Sequence, residues 1–74
     1  MKIPALTDRE VIAKLRKLGF VFYRTAKGSH EIYRHPDNGR WTMVPRHPGK
    51  TISRPTMKSI LRDIGMRGDD FLDV

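Results

Sequence analysis

The 74-residue sequence predicts an α+β domain of order α-β-β-β-α, a three-stranded antiparallel sheet with two helices on one face. Three observations lead there. Apolar residues recur at helical spacing near both ends of the chain, in Val11–Leu18 and in Met57–Ile64. Aromatic and β-branched runs lie between them, separated by glycine-containing turns. The two turns are tight, which antiparallel neighbours permit and parallel neighbours do not. Neither helical stripe can bury itself, so both helices must cover the same face of the sheet.

The elements follow in order. Residues 1–6 read as a loose lead-in. Thr7-Asp8-Arg9-Glu10 has the form of a capping box, in which the hydroxyl and the carboxylate satisfy amides that the first helical turn leaves unpaired. A helix is expected over Asp8–Leu18, with Val11, Ile12, Leu15 and Leu18 on one side and Gly19 as its left-handed end. Phe20–Thr25 reads as a strand, Ala26–Ser29 as a turn and His30–His35 as a second strand. Pro36-Asp37-Asn38-Gly39 is a strong turn signal, and Arg40–Val44 is a third strand stopped by Pro45. Arg46–Arg54 is a basic loop. Pro55 suits the start of a helix that carries Met57, Ile60, Leu61 and Ile64 inward and closes at Gly65. Residues 66–74 form an acidic tail, in which Asp69–Leu72 can make a short terminal turn. The whole chain, 1–74, is one domain. Phe20, Phe22, Tyr23 and Trp41 are expected in the core, because a domain this small needs its large side chains inside.

Composition narrows the function. The chain is too short for a two-lobed enzyme with a cleft, and it has no Cys for disulfides or thiolate metal sites. It has no apolar run long enough to span a membrane or to form an export signal, so the expected compartment is the cytoplasm and no membrane partner is expected. Lys and Arg number 15 against 8 Asp and Glu, for a net charge of +7. The excess is concentrated: Lys14–Arg62 holds twelve basic and two acidic residues, whereas Asp63–Val74 is net acidic. A basic body of this kind suits a polyanion, nucleic acid first.

The candidate chemistry rests on three histidines, His30, His35 and His47. Their spacing from Glu31 and Asp37 fits no standard metal-ligand pattern, so neither a metal site nor a cofactor is expected. Ser29 adjoins His30, but adjacent residues of a strand point apart, which argues against a nucleophilic triad. His30 follows Lys27-Gly28-Ser29, where glycine allows a close approach of backbone to ligand. Alternation puts His30, Ile32 and Arg34 on one face and Glu31, Tyr33 and His35 on the other. His47 lies between Arg46 and Lys50 in the loop, a grouping able to clamp a phosphate. His35 reads as a hairpin-end residue in water. A local, non-functional role for His30 and a solvated loop around His47 stand as alternatives.

The succession Gly19-Phe20, Arg24, Lys27-Gly28-Ser29-His30, Tyr33-Arg34-His35-Pro36, Val44-Pro45-Arg46-His47 and Pro55–Gly65 resembles the HicA (YcfA-like) toxins over nearly the whole chain. That resemblance implies a fold like the double-stranded-RNA-binding domain. It also implies ribosome-independent cleavage of mRNA by the toxin of a type II toxin–antitoxin pair, with a HicB-type antitoxin as partner. The histidine of Gly-Ser-His, here His30, would be the essential acid/base group. No metal is needed, because RNA supplies its own nucleophile, the 2′-hydroxyl. Arg24, Lys27, Gly28 and Ser29, then Arg46, His47 and Lys50, are the residues expected to meet RNA and its phosphate. Two further readings compete. One is a non-catalytic module that grips duplex RNA by shape and phosphate contacts. The other is a protein-docking domain that uses its acidic tail or the helices with Met57 and Met66.

Overall fold

A computed structural model describes residues 2–74. Its elements are α1 (Asp8–Lys17), β1 (Val21–Thr25), β2 (His30–Arg34), β3 (Trp41–Pro45), α2 (Arg54–Ile64) and α3 (Gly68–Leu72). The expected α-β-β-β-α order is present, with the terminal turn realised as a short third helix. The sheet is antiparallel with strand order β1-β2-β3, the α+β arrangement expected of a double-stranded-RNA-binding-like fold.

The capping box closes as its sequence requires. Glu10 N–H donates to Thr7 Oγ1 at 3.3 Å, and Thr7 N–H donates to Glu10 Oε1 at 2.9 Å. Val11, Ile12 and Leu15 of α1 meet Met57, Ile60, Leu61 and Ile64 of α2 in one core, which Tyr33 and Val44 complete from the sheet. Both long helices therefore lie on the Tyr33 side of the sheet. Phe71 of α3 is fully buried in the same core, and Lys14 reaches across to donate to the main-chain oxygens of Leu72 and Val74 at 3.0 Å each. This is a cation at a helix C-terminus, where it complements the dipole.

The helix and strand ends shift from expectation by at most one residue, and three features beside them have a local reason. α1 stops at Lys17, with Leu18 as its cap and Gly19 at φ +99°. A Cβ on Gly19 would stand 2.7 Å from His35 Nε2, so the turn needs glycine for space as well as for backbone angle. β3 includes Pro45, which pairs with His30 at the end of the ladder. Ahead of α1, Leu6 is buried and its carbonyl accepts from Ile52 N–H at 2.8 Å, so this part of the lead-in is tied to the loop before α2.

The aromatic residues need a correction. Phe20 is buried, but Phe22, Tyr23 and Trp41 are about half exposed, at 50%, 58% and 53%. For Tyr23 and Trp41 the physical reason is that both long helices cover one face, which leaves the other face of a three-stranded sheet to solvent. Tyr23 and Trp41 belong to that open face. Phe22 lies on the helix side at the edge strand, edge-on to Tyr33 with ring centroids 5.9 Å apart.

Candidate functional site

The site is built where β2 begins and β3 ends. The β1–β2 turn is closed by Ala26 N–H donating to His30 O at 2.8 Å, and Gly28 supplies its positive φ of +72°. Across the ladder, Arg46 N–H donates to Ser29 O at 3.1 Å, which lays the chain after β3 alongside Ser29-His30. That chain then turns, with Lys50 N–H bonded to His47 O at 3.0 Å, and Thr51 bridges to Thr7.

These connections enclose a cavity of about 440 Å³. His30, His47 and Lys50 all line it, with Met43 and Pro45 as apolar walls. Its other side is the start of α2, through Ser53 and Thr56. Ser53 is the N-cap residue of α2, but its hydroxyl bonds to Thr56 Oγ1 at 3.0 Å and caps no amide. The first turn of a helix carries amides without intrahelical partners, of which Pro55 supplies none here, and the positive end of the dipole. Two imidazoles, an ammonium and a helix start thus converge on one half-open space, a setting that favours an anion.

The remaining expected residues are distributed around this cavity. Lys27, Gly28 and Ser29 occupy the exposed turn leading into His30. Arg24 stands on the open face of the sheet, beside Ile32. Arg46 and His47 are neighbours in sequence but diverge. His47 lines the cavity, whereas Arg46 turns to two carboxylates: Nε donates to Asp8 Oδ2 at 2.7 Å and NH1 to Glu31 Oε1 at 2.9 Å. Tyr33 Oη donates to the same Glu31 oxygen at 2.9 Å.

This chain of Asp8, Arg46, Glu31 and Tyr33 ties α1 to both strands that carry the site. The hydrogen bond from Arg46 holds the Asp8 carboxyl below its ordinary range, against the opposing effect of burial. Asp8, followed by Glu31, raises the Arg46 guanidinium in turn. Burial raises the Tyr33 phenol, and its bond to Glu31 adds to the rise.

His35 belongs to a different structure. Its Nε2 lies 3.1 Å from Leu18 O, and its Nδ1 accepts from Asp37 N–H at 3.2 Å. The carbonyl can only accept, so the bonding pattern assigns the proton to Nε2. The ring also stands edge-on to Phe20, with centroids 5.1 Å apart. His35 is a half-buried brace between the end of α1 and the second turn, not the solvated residue its sequence position suggested.

The family model for the HicA toxin of bacterial toxin–antitoxin systems matches residues 9–66. The chain belongs to the HicA toxin family. The match spans every strand, α2, all of α1 but its first residue, and all of the cavity residues, including His30, His47 and Lys50. Asp8, the buried partner of Arg46, and α3 lie outside the HicA match. No curated protein matches the chain. As the toxin member of such a system, this HicA chain has no helix, among the described residues, that is long and apolar enough to cross a membrane.

Sequence reasoning overlooked Asp8 as anything beyond a capping-box residue, and it overlooked the start of α2 as part of the site. For Asp8 the available signal was an acid followed, after a gap of many residues, by an Arg in a basic loop, which cannot be paired without the fold. For Ser53 and Thr56 the signal was the Ser-x-Pro-Thr start of a helix directly after a basic loop.

Proposed function

We propose that this HicA toxin is an endoribonuclease that cleaves mRNA without a ribosome or a metal, with His30 as general acid/base. One observation carries the reading: His30 shares a single open cavity with His47, Lys50 and the start of α2. A scissile phosphate held there has its negative charge met by Lys50 and His47, with the positive end of the α2 dipole beside them. His30 takes the proton from the ribose 2′-hydroxyl. The freed oxygen attacks phosphorus in line, the bond to the 5′-oxygen breaks, and that oxygen takes up a proton as it leaves. The products are a 2′,3′-cyclic phosphate and a 5′-hydroxyl end.

Lys27, Gly28 and Ser29 border the entrance, where they would meet the chain on either side of the phosphate. Arg24 would meet it on the open sheet. Arg46 acts as a positioning residue, because it fixes the segment that carries His47 and Lys50 against β2. A HicB-type antitoxin of acidic surface would silence the toxin by covering this basic opening, and the net charge of +7 would speed their encounter. An mRNA substrate places the activity in the cytoplasm.

The test is incubation of purified protein with labelled RNA in EDTA. Cleavage is expected, with an all-2′-deoxy analogue left intact and His30→Ala slowed by at least about 100-fold, the low end for loss of a general acid/base. Cutting of the deoxy analogue at the RNA rate, or undiminished cleavage by His30→Ala, overturns the mechanism. RNA that is retarded but never cut supports the non-catalytic module instead.

A further inference from the structure

The uncovered face of the sheet carries a second feature that the cavity chemistry does not use. Pairing between β1 and β2 runs Phe22↔Tyr33 and then Arg24↔Ile32, so Tyr23 is the extra residue of a β-bulge. A bulge re-aims side chains that strict alternation would separate. Here it puts Tyr23 and Arg24 on the same side, with Ile32, Arg34 and Trp41, and the five line a shallow hollow of about 260 Å³. Ile32 is buried at its floor, although both long helices lie on the opposite side of the sheet. Tyr23 and Trp41 are more than half exposed, and the Arg34 guanidinium carbon lies 5.8 Å from the centroid of the Tyr23 ring. None of the five is acidic, and Glu31 points to the opposite face, toward Arg46.

This hollow neighbours the cavity across one paired position of the sheet. Ile32 pairs with Met43, and Met43 lines the cavity beside His30. His30 and Arg34 share one face of β2 four residues apart, a span of about 13 Å at the usual rise of a strand.

Resting on the nuclease reading above, we infer that the open sheet face is the track for single-stranded RNA leading into the His30 cavity. Unpaired bases stack on Trp41 and Tyr23, while Arg24 and Arg34 neutralise the backbone. Exposed aromatic rings interleaved with guanidinium groups match the two surfaces of a splayed strand, its base faces and its phosphates. A duplex cannot use such a face, because its bases are already stacked on one another and present only their edges. The substrate is therefore a segment of mRNA unpaired next to the scissile phosphate, and the stacking is tolerant of sequence.

Trp41 is the sole tryptophan of the chain, so its fluorescence reports directly on the face. The experiment titrates His30→Ala, which removes the proposed cleavage group, with a short single-stranded RNA, with the duplex of that RNA and its complement, and with polyglutamate. Single-stranded RNA is expected to quench Trp41, and the duplex to quench it far less. In that background Tyr23→Ala should weaken single-strand binding roughly 5- to 150-fold, the range for loss of one stacked base. Trp41→Ala, followed by anisotropy of labelled RNA, should do the same, while Trp41→Phe stays near the parent. With His30 intact, Tyr23→Ala should raise KM and leave kcat in place.

Quenching by polyglutamate but not by RNA, equal affinity for duplex and single strand, or Tyr23→Ala and Trp41→Ala variants that bind as the parent does, each overturns the track. The two proposals separate cleanly. Cleavage by wild type without RNA quenching of Trp41 defeats the track alone. Quenching that depends on Tyr23, in a wild-type protein that cuts no RNA, upholds the track and defeats the nuclease.

Discussion

His30 opens β2 and His35 follows its last residue, so one short strand carries the same side chain at both ends. At the His35 end the ring is built in: Leu18 O and Asp37 N–H take its two nitrogens, Phe20 takes its edge, and Gly19 leaves it room. At the His30 end the ring borders a half-open cavity together with His47 and Lys50. The difference shows that an imidazole becomes structural or available according to which chain segments arrive beside it. The end of α1 arrives beside His35, and the turn after β3 arrives beside His30. The largest expected effect follows directly. His30→Ala should cost cleavage at least about 100-fold and leave thermal unfolding unchanged. His35→Ala should retain cleavage by the folded protein but lose about 2 kcal/mol of stability, near 1 for each hydrogen bond given up. Paired cleavage assays and thermal melts check both, and the reverse pattern would erase the distinction between the two ends.

The His30 end is open, yet it is not loosely held, and Arg46 is the reason. Its guanidinium neutralises Asp8, whose side chain is only 1% exposed, and it joins Glu31 on β2. Arg46→Met should therefore destabilise the fold by about 3 kcal/mol, because it leaves a buried carboxylate without its partner. Urea unfolding measures that loss. A cost below about 1 kcal/mol would show the pair to be solvent-screened and idle.

The same pair sets an acid limb. The folded Asp8 carboxyl titrates below its ordinary value of 3.8, so its contribution is present above that value and disappears as pH falls through the folded one. Glu10, depressed by the Thr7 amide and hydroxyl, likewise loses its contribution as pH falls from its ordinary value of 4.5 through its own folded one. Stability followed from neutral pH downward should fall in that window for wild type, and fall less steeply for Arg46→Met. Equal slopes would place the acid sensitivity elsewhere.

How far the sequence alone reached can be read from these residues. The capping box, the apolar stripes of α1 and α2, the two turns and the family motifs all depend on neighbours within a few positions, and each is found in the structure where its spacing put it. His30, His47 and Lys50 could be named singly from their local setting, but their convergence rests on the pairing of His30 with Pro45, which only the folded sheet supplies. What escaped was long-range. Asp8 with Arg46 spans 38 positions and His35 with Leu18 spans 17, and nothing in either local sequence marks the partner. Phe20 is in the core as expected, but Tyr23 and Trp41 were misplaced for a related reason. Hydrophobicity says that a side chain benefits from burial, but not that the helices run out before the second face of the sheet is covered. The bulge at Tyr23 shifts alternation by one position and leaves no signal in composition.

The glycines next to the two histidines offer the finest test of the comparison. Gly19 and Gly28 both have positive φ, so alanine at either must adopt backbone angles that cost roughly 1–2 kcal/mol. Only at Gly19 does the new methyl also meet a side chain, the His35 ring, and only there must that ring leave its bond to Leu18 O. At Gly28 a Cβ meets nothing within 4 Å. Gly19→Ala should thus destabilise by about 2–3 kcal/mol, and Gly28→Ala by about 1–2, since it carries the backbone cost alone. In the Gly19→Ala, His35→Ala double variant the ring is already gone, so the excess at Gly19 should vanish and the two substitutions should be less than additive. Full additivity would mean that Gly19 serves only its own turn, and that the brace at the closed end of β2 does not depend on it.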